Sequence, residues 1–110
     1  MSHAKSFLFK KEEKKFSAFC KALAHPARRR IIDMLITDEV VPFSRLNHAI
    51  PLHPATIQEH LTKLRMVHLL HVNSNEKGDI IGYRLNNRGK REMDRLFRQF
   101  LGEVGVVKVA

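Results

Sequence analysis

A chain of 110 residues with 44% hydrophobic and 28% charged residues has the composition of one folded domain, which excludes a disordered or fibrous protein. Its 20 lysines and arginines against 11 acidic residues give a formal net charge of +9, which attracts nucleic acid, anionic membranes and acidic proteins alike. The single cysteine excludes an intramolecular disulfide and a metal site made of cysteines alone.

The apolar segments of the chain are short. No stretch approaches the roughly 18 consecutive apolar residues that a membrane-spanning helix requires. The apolar stretch near the N-terminus is too short for a signal peptide, because charged residues resume at Lys10. We therefore expect a cytoplasmic protein with no membrane partner.

The first helix is expected to run from about residue 5 to residue 23. Its apolar side consists of Phe16, Phe19, Cys20 and Leu23. On that side Cys20 is expected to be a buried, inert thiol, with an oxidation switch or a disulfide between subunits as the alternative. The charged run from Lys10 to Lys15 is expected to be a solvated face of the helix, with an arm that contacts phosphate as the alternative.

A second helix is expected from about residue 27 to residue 36, after a break at His25-Pro26. Its inward side chains are Ile31, Ile32 and Leu35. The three arginines from Arg28 to Arg30 span most of one turn and cannot all face the same partner. At least one of them is expected to reach a phosphate or a neighbouring carboxylate. A short strand is expected at Val40-Val41.

The stretch from Pro54 to Leu69 is the most informative part of the chain. Ile57, Leu61 and Leu64 recur at i, i+4 and i+7, which predicts a helix with one side on the core. The side chains expected to point away from that stripe are Ala55, Gln58, Glu59, Thr62 and Lys63. A short helix from Phe43 to Ile50 precedes this one across a tight link. The pair indicates a helix-turn-helix, whose second helix can enter a major groove of DNA.

A β-hairpin is expected directly after this recognition helix. The runs 69–72 and 80–85 are rich in residues that favour strands, and the loop between them contains Gly, Asn and Asp. A hairpin in this position is a wing. Lys77 in its loop and Arg84 on its second strand are the side chains expected to contact the DNA backbone.

The last helix is expected from about residue 88 to residue 103, with Asn86-Asn87 as its cap. Its apolar side chains are Met93, Leu96, Phe97, Phe100, Leu101 and Val104. This stripe is wider than one small core absorbs, so the first and last helices are expected to form a homodimer interface. The interface residues are Phe16, Phe19, Cys20, Leu23, Met93, Leu96, Phe97, Phe100 and Leu101. The alternative is a helix buried entirely on its own domain, and residues 105–110 are expected to be a tail.

The outward side of the recognition helix is expected to contact the bases and phosphates of DNA. Gln58 can pair with adenine and Glu59 can accept a hydrogen bond from the cytosine amino group. Ala55 and Thr56 are expected near a thymine methyl group, and His53 and Lys63 near phosphates. The full set of DNA-contacting residues is His53, Ala55, Thr56, Gln58, Glu59, Thr62, Lys63, Lys77 and Arg84.

Seven histidines raise the question of a metal site or a response to pH. His53 and His60 would lie two turns of helix apart, about 10 Å, which is too far for one ion. A metal site assembled between subunits is the remaining alternative. Histidine protonation near pH 6 is expected to tighten nonspecific DNA binding, because it adds positive charge.

Three motifs resemble those of the ArsR/SmtB family of bacterial winged-helix repressors. Leu23-Ala-His-Pro-Ala-Arg-Arg-Arg-Ile-Ile-Asp-Met-Leu35 is similar to the start of the family's second helix. Leu52-His-Pro-Ala-Thr-Ile-Gln-Glu-His-Leu-Thr-Lys-Leu-Arg65 resembles its recognition helix, and Tyr83-Arg-Leu-Asn86 resembles the end of its wing. The resemblance covers about residues 16–103 and implies a dimeric DNA-binding repressor.

The chain departs from this family at the positions of the metal ligands. The resemblance places the family's Cys-x-Cys pair at Pro42 and Ser44, which cannot supply thiolates. It places a second site at Asn87, Gly89, Phe100 and Glu103, where only the glutamate is a usual ligand. We therefore expect no metal at either position, no cofactor, and an effector that the sequence does not identify.

These features predict a single domain over residues 1–110, mainly α with a small β-hairpin, in the order α-α-(short β)-α-α-β-β-α of a winged helix-turn-helix. The expected function is sequence-specific binding of double-stranded DNA at an inverted repeat by a homodimeric transcriptional repressor. The alternatives are a winged-helix module that binds an acidic protein, and a redox- or ligand-gated sensor that uses Cys20. No Gly-rich phosphate loop, nucleophile motif or carboxylate pair indicates an enzyme.

Overall fold

The computed structural model describes residues 8–103 of the chain, and within them five helices and one antiparallel hairpin follow the expected order. The helices and strands are α1 (Lys11–Leu23), α2 (Pro26–Thr37), α3 (Phe43–Ala49), α4 (Pro54–Met66), β1 (Leu70–Ser74), β2 (Ile80–Leu85) and α5 (Asn87–Glu103). No helix in this part of the chain is both long and apolar enough to cross a bilayer.

The starts of α2 and α4 are fixed by the same pair of residues, a histidine followed by a proline. Pro26 and Pro54 occupy first helical positions, where the missing N–H removes no helical hydrogen bond. The His25 Nδ1 accepts a hydrogen bond from the Ala27 N–H at 3.0 Å, and the His53 Nδ1 accepts one from the Ala55 N–H at 3.1 Å. Each histidine therefore caps the helix that it precedes.

The first helix begins later than expected from the sequence. It starts at Lys11, where the Glu13 carboxylate accepts a hydrogen bond from the Lys10 N–H at 2.8 Å. This capping contact satisfies the Lys10 N–H, which has no partner within the helix, and it marks the N-terminal boundary of α1. Residues 8–10 are therefore outside the helix, and residues 5–7 lie outside the described part of the chain.

One continuous core joins all five helices and the hairpin. Its buried hydrophobic residues are Phe19, Ala22, Ala27, Ile31, Ile32, Leu35, Val41, Leu46, Ile50, Ile57, Leu61, Leu64, Leu69, Leu70, Tyr83 and Leu96. The predicted inward residues of α2 and α4 are all in this core. The helix-turn-helix is thus held by α4 packing on α2 and by α3 packing on α4 and β2.

The wing is a two-stranded antiparallel sheet whose register places Leu70 opposite Leu85. Its turn depends on Asn75, whose Oδ1 accepts hydrogen bonds from the Lys77 N–H at 2.9 Å and the Asp79 N–H at 3.0 Å. Val41 forms a bridge with Tyr83, through amide-to-carbonyl hydrogen bonds of 2.8 and 2.9 Å. The expected strand at 40–41 is therefore a single bridge that joins the wing to the link before α3.

The recognition helix ends at Met66 rather than at Leu69, because the chain reverses in a tight C-terminal cap. The Leu69 N–H donates to the Leu64 carbonyl at 3.0 Å, and the His68 N–H donates to the Arg65 carbonyl at 2.9 Å. His68 accordingly has a φ of 61°, in the left-handed region that favours glycine. This reversal directs the chain from α4 into β1.

The start of α5 packs directly on that reversal. The Asn86 Oδ1 accepts a hydrogen bond from the Gly89 N–H at 3.2 Å, which confirms the predicted cap. Gly89 is buried, and a Cβ atom at this position would overlap the carbonyl oxygen of His68. Only glycine therefore allows the first turn of α5 to approach the end of α4 this closely.

Further along the chain, α5 packs on α1 through ion pairs and aromatic rings. Arg95 contacts Glu12 at 2.9 Å and Glu92 at 2.7 Å, and the Arg95 hydrogen bond lowers the pKa of Glu92 to about 2. The Phe16 ring lies 4.8 Å from that of Phe97. Surface ion pairs contribute little, so the aromatic contacts are the stronger part of this packing.

The close approach at Gly89 yields a test of the fold. We expect Gly89→Ala to lower the free energy of unfolding by about 2 kcal/mol, a typical cost of overpacking a filled site. Gly102→Ala is the matched control, because it also lies in α5 and a Cβ there meets nothing within 4 Å. Urea unfolding of both variants measures the difference, and equal stabilities would contradict the described packing.

Candidate nucleic-acid interface

The recognition helix α4 has one buried side and one exposed side. Ile57, Leu61 and Leu64 are 0%, 2% and 0% exposed, whereas the opposite side faces solvent. The exposed residues are Ala55, Gln58, Glu59, Thr62 and Lys63, and Thr56 is half-buried. The predicted outward set of side chains therefore shares one face of α4.

Three of these side chains are available to an external partner. Gln58, Glu59 and Lys63 form no side-chain hydrogen bond or ion pair with other residues of the described range 8–103. Thr62 differs, because its hydroxyl donates a hydrogen bond to the Gln58 carbonyl oxygen at 3.0 Å within the helix. The hydroxyl of Thr62 is left to accept a hydrogen bond, while the amide of Gln58 can both donate and accept.

His53 stands at the N-terminal end of α4 and is exposed. Because its Nδ1 accepts the capping hydrogen bond from Ala55, a neutral His53 carries its proton on Nε2. That N–H is a donor at the positive end of the helix dipole. His53 can therefore donate to a phosphate oxygen without giving up its role as cap.

The two predicted wing residues are exposed but differ in whether their side chains are hydrogen-bonded to other residues of the described range. Lys77 lies in the turn of the hairpin, and its side chain contacts no partner in the described part of the chain. Arg84 on β2 donates from Nε to the Asn73 Oδ1 at 2.8 Å. The terminal guanidinium nitrogens of Arg84 have no protein partner among residues 8–103, so the contact orients the side chain and leaves donors free.

The three arginines at the start of α2 have three different environments. Arg29 pairs with Asp33 at 3.1 Å, which confirms the expectation that one of them reaches a neighbouring carboxylate. Arg30 donates to the Ala49 carbonyl at 3.4 Å. Arg28 is half-buried and points into the structure. Of the three, Arg29 has a carboxylate partner within residues 8–103.

A polar contact beneath α4 was not predicted from the sequence. The Arg28 Nε donates to the Nδ1 of His60 at 3.0 Å, and His60 is only 7% exposed. The ring of His25 lies 4.3 Å from that of His60. His60 lies three residues after Ile57 on the side of α4 that faces the core, so its spacing was a usable signal of burial.

Burial lowers the pKa of His60 below its ordinary value of 6.5. The positive charges of His25, Arg28 and Lys63 lower the pKa further, and Glu59 opposes them. His60 is therefore neutral at pH 7. Its Nε2 is buried and has no hydrogen-bond partner within the described residues.

The residues predicted for a dimer interface divide into three groups. Phe19 and Leu96 are buried in the core of the single chain, and Phe100 and Leu101 are 43% and 38% exposed. The half-buried members are Phe16, Leu23, Met93 and Phe97. Cys20 corrects the expectation of a buried thiol, because it is exposed. It follows Phe19 by one position, about 100° around the helix, and this turns it away from the core.

An apolar surface remains on the joined faces of α1 and α5. We define the α1/α5 patch as Phe16, Phe97, Phe100 and Leu101. The rings of Phe16 and Phe100 stack at 5.1 Å, so Phe100 continues the aromatic contact outward from the core. Val104, the last residue of the predicted stripe, lies outside the described residues.

Comparison with solved structures identifies the fold. A possible transcriptional regulator for arsenical resistance superposes with a TM-score of 0.64 at 25% identity, over 74% of this chain and 81% of the other. An ArsR family transcriptional regulator gives 0.70 at 12% identity, over 88% and 96%. The transcriptional repressor BigR from Xylella fastidiosa gives 0.63 at 22% identity, over 91% and 94%. The chain has an ArsR-like winged-helix fold. No protein-family model and no curated protein matches its sequence.

Each part of the candidate interface corresponds to an element of the winged-helix fold. Helices α3 and α4 form the helix-turn-helix, and β1 and β2 form the wing. At the positions where the resemblance places metal ligands, the chain has Pro42, Ser44, Asn87, Gly89, Phe100 and Glu103, of which only Glu103 supplies a usual ligand side chain for zinc. Within residues 8–103, no three His, Cys, Asp or Glu side chains cluster closely enough to hold a metal ion.

Proposed function

We propose that this chain is a sequence-specific DNA-binding transcriptional regulator that acts as a homodimer and represses by covering a promoter. One observation carries the proposal: α4 presents Gln58, Glu59 and Lys63 on one side, without a side-chain partner among residues 8–103, while its other side is buried in the core. A helix with that division, preceded by a short helix and followed by a wing, matches the geometry that places a recognition helix in a major groove.

The side chains of this face have distinct proposed roles. Gln58 donates to and accepts from adenine, and Glu59 accepts from the cytosine amino group. Ala55 and Thr56 contact a thymine methyl group, and each good base contact discriminates by about 1–3 kcal/mol. The phosphate contacts are assigned to His53, Thr62, Lys63, Lys77 and Arg84. These contacts position α4 and carry no sequence information themselves.

The net charge of +9 supports DNA as the partner. Cationic side chains that neutralise phosphates release condensed counterions, and this release stabilises the complex strongly at low salt. Glu59 works against that attraction, because a carboxylate near phosphates is repelled unless a base or cation pairs with it. Its exposed place on α4 is therefore best explained by selection of sequence.

The α1/α5 patch supports a second copy of the chain as the other partner. Two copies related by a two-fold axis would present two α4 helices to successive major grooves, about 34 Å apart on one face of the duplex. A dimer with two-fold symmetry places both recognition helices equivalently only on a DNA site with the same symmetry. The proposed operator is accordingly an imperfect inverted repeat.

Selection of bound duplexes from a random pool tests this function directly. With purified full-length chain near physiological salt, we expect enrichment of an inverted repeat whose half-sites are about one helical turn apart. The affinity for the enriched duplex should exceed that for a scrambled duplex about 10³-fold or more and fall steeply as salt rises. Equal binding of both duplexes, or no enrichment, would exclude specific DNA binding and favour an acidic protein as the partner.

The role of Glu59 can be tested by removing its carboxylate. We expect Glu59→Ala to weaken discrimination against the wrong base at one position of each half-site by about 1–3 kcal/mol. Binding to scrambled DNA should tighten slightly, because a repelled charge is lost. Glu39→Ala, which removes an exposed carboxylate between α2 and α3, is the control. If Glu59→Ala tightens binding to all duplexes equally, Glu59 does not select sequence.

The dimer can be tested by placing a charge in the α1/α5 patch. We expect Phe100→Asp to shift the chain toward monomer in analytical ultracentrifugation and to reduce affinity for the inverted repeat at least tenfold. Burying an unpaired carboxylate in an apolar interface is strongly unfavourable. Ile36→Asp is the matched control, because Ile36 is 55% exposed on α2 outside the patch. A dimer that survives Phe100→Asp unchanged must use another surface.

A further inference from the structure

Arg28 is hydrogen-bonded to two other helices. Its Nη1 donates to the carbonyl oxygens of Lys21 at 3.3 Å and Ala22 at 3.2 Å, at the C-terminal end of α1. Its Nε donates to the Nδ1 of His60 on the buried side of α4. One guanidinium on α2 therefore connects the last turn of α1 to the middle of the recognition helix.

The contact with Arg28 determines the protonation state of His60. A guanidinium keeps its protons at all accessible pH values, so the Nδ1 that faces it must be unprotonated in order to accept. The proton of the neutral ring is then on Nε2, which is buried without a partner among the described residues. A second proton would remove the acceptor and place a cation against the guanidinium.

The charged and titratable groups around His60 affect how readily the ring takes up that second proton. His25 at the start of α2, Arg28 on α2 and Lys63 on α4 disfavour a positive ring, and Glu59 on α4 favours one. Burial also disfavours the charged form, so the pKa of His60 lies below 6.5 in the folded chain. This group therefore contributes stability that is present above pH 6.5 and is lost as the pH falls toward the lowered pKa.

We infer that Arg28 is a positioning residue for base recognition, and that its hydrogen bond to His60 fixes where α4 sits along and around its axis. The apolar contacts of Ile57, Leu61 and Leu64 hold α4 to the core but are not directional. The Arg28 to His60 hydrogen bond is directional and lies beneath the exposed Gln58 and Glu59. This inference rests on the proposed function, because it concerns the accuracy of DNA contacts.

The inference predicts a loss of discrimination when the link is broken. In His60→Leu the acceptor is gone while burial and bulk are retained, so α4 stays on the core without its directional contact. We expect the ratio of affinities for selected and scrambled duplexes to fall at least tenfold at pH 7.5. The affinity for scrambled DNA should stay within twofold, because the phosphate-contacting cations remain.

A conservative variant separates positioning from mere folding. Asn at position 60 places an amide oxygen near the site of the Nδ1 and does not titrate. We expect His60→Asn to retain most of the wild-type ratio at pH 7.5. As the pH is lowered, the wild-type ratio should fall once His60 takes up a proton, whereas His60→Asn should keep its ratio. His71→Asn on β1, an exposed histidine outside the proposed DNA contacts, is the control and should follow the wild-type pH profile.

Fluorescence anisotropy with both duplexes at pH 7.5 and at steps below it measures these ratios, and urea unfolding at each pH establishes that the variants are folded. Adding Arg28→Gln to His60→Leu should change the ratio by less than twofold further, because the link is already lost. If the wild type discriminates and His60→Leu discriminates equally, or if the His60→Asn ratio falls with pH as the wild-type ratio does, the positioning role is overturned while DNA binding stands. If the wild type does not discriminate at all, the proposed function and the inference both fail.

Discussion

The burial of one side of α4 is the constraint on which the rest of the structure depends. Ile57, Leu61 and Leu64 are almost completely buried, and each such side chain stabilises its position by about 1.5–3 kcal/mol. Turning α4 by one residue, about 100°, would bring Gln58 into the core without a partner for its side-chain amide. Burial in the core therefore determines which α4 side chains face outward, and these are the side chains available to a binding partner.

Much of this arrangement could be predicted because it is local and periodic. The spacing of 57, 61 and 64 predicts α4, and the turn residues between 73 and 79 predict the hairpin. The Asn86 cap depends on a side chain and an amide only three residues apart. Each of these features is decided by near neighbours in the sequence, and the structure confirms each of them.

The helix ends were less accessible to sequence reasoning. The start of α1 depends on whether Glu13 caps Lys10, and the end of α4 depends on His68 adopting a left-handed conformation. A histidine is not the residue expected there, and close packing of Gly89 on the same turn accompanies this backbone. The prediction that Cys20 is buried was wrong for a related reason. An apolar stripe on a helix is defined only to within one residue at its edge, and a small thiol gives no further signal.

The Arg28 to His60 contact could not be predicted from patterns in the sequence. The two residues are 32 positions apart, and each of them has an ordinary explanation as a solvated surface group. The spacing of His60 from Ile57 indicates burial, but nothing in the sequence names its partner. Only the packing of α2 against α4 brings the guanidinium and the imidazole together, so this pairing required the structure.

The same geometry connects the two halves of the proposed function. Helix α1 supplies Phe16 to the α1/α5 patch, where a second copy is proposed to bind, and its last turn supplies the carbonyl oxygens that hold Arg28. Arg28 in turn holds His60 beneath the side of α4 that is proposed to contact bases. A shift of α1 that accompanies dimer formation would therefore move the anchor of α4, because the guanidinium cannot keep both sets of hydrogen bonds if α1 and α4 move apart. In the proposed function, pairing of protomers and accuracy of base recognition both depend on α1.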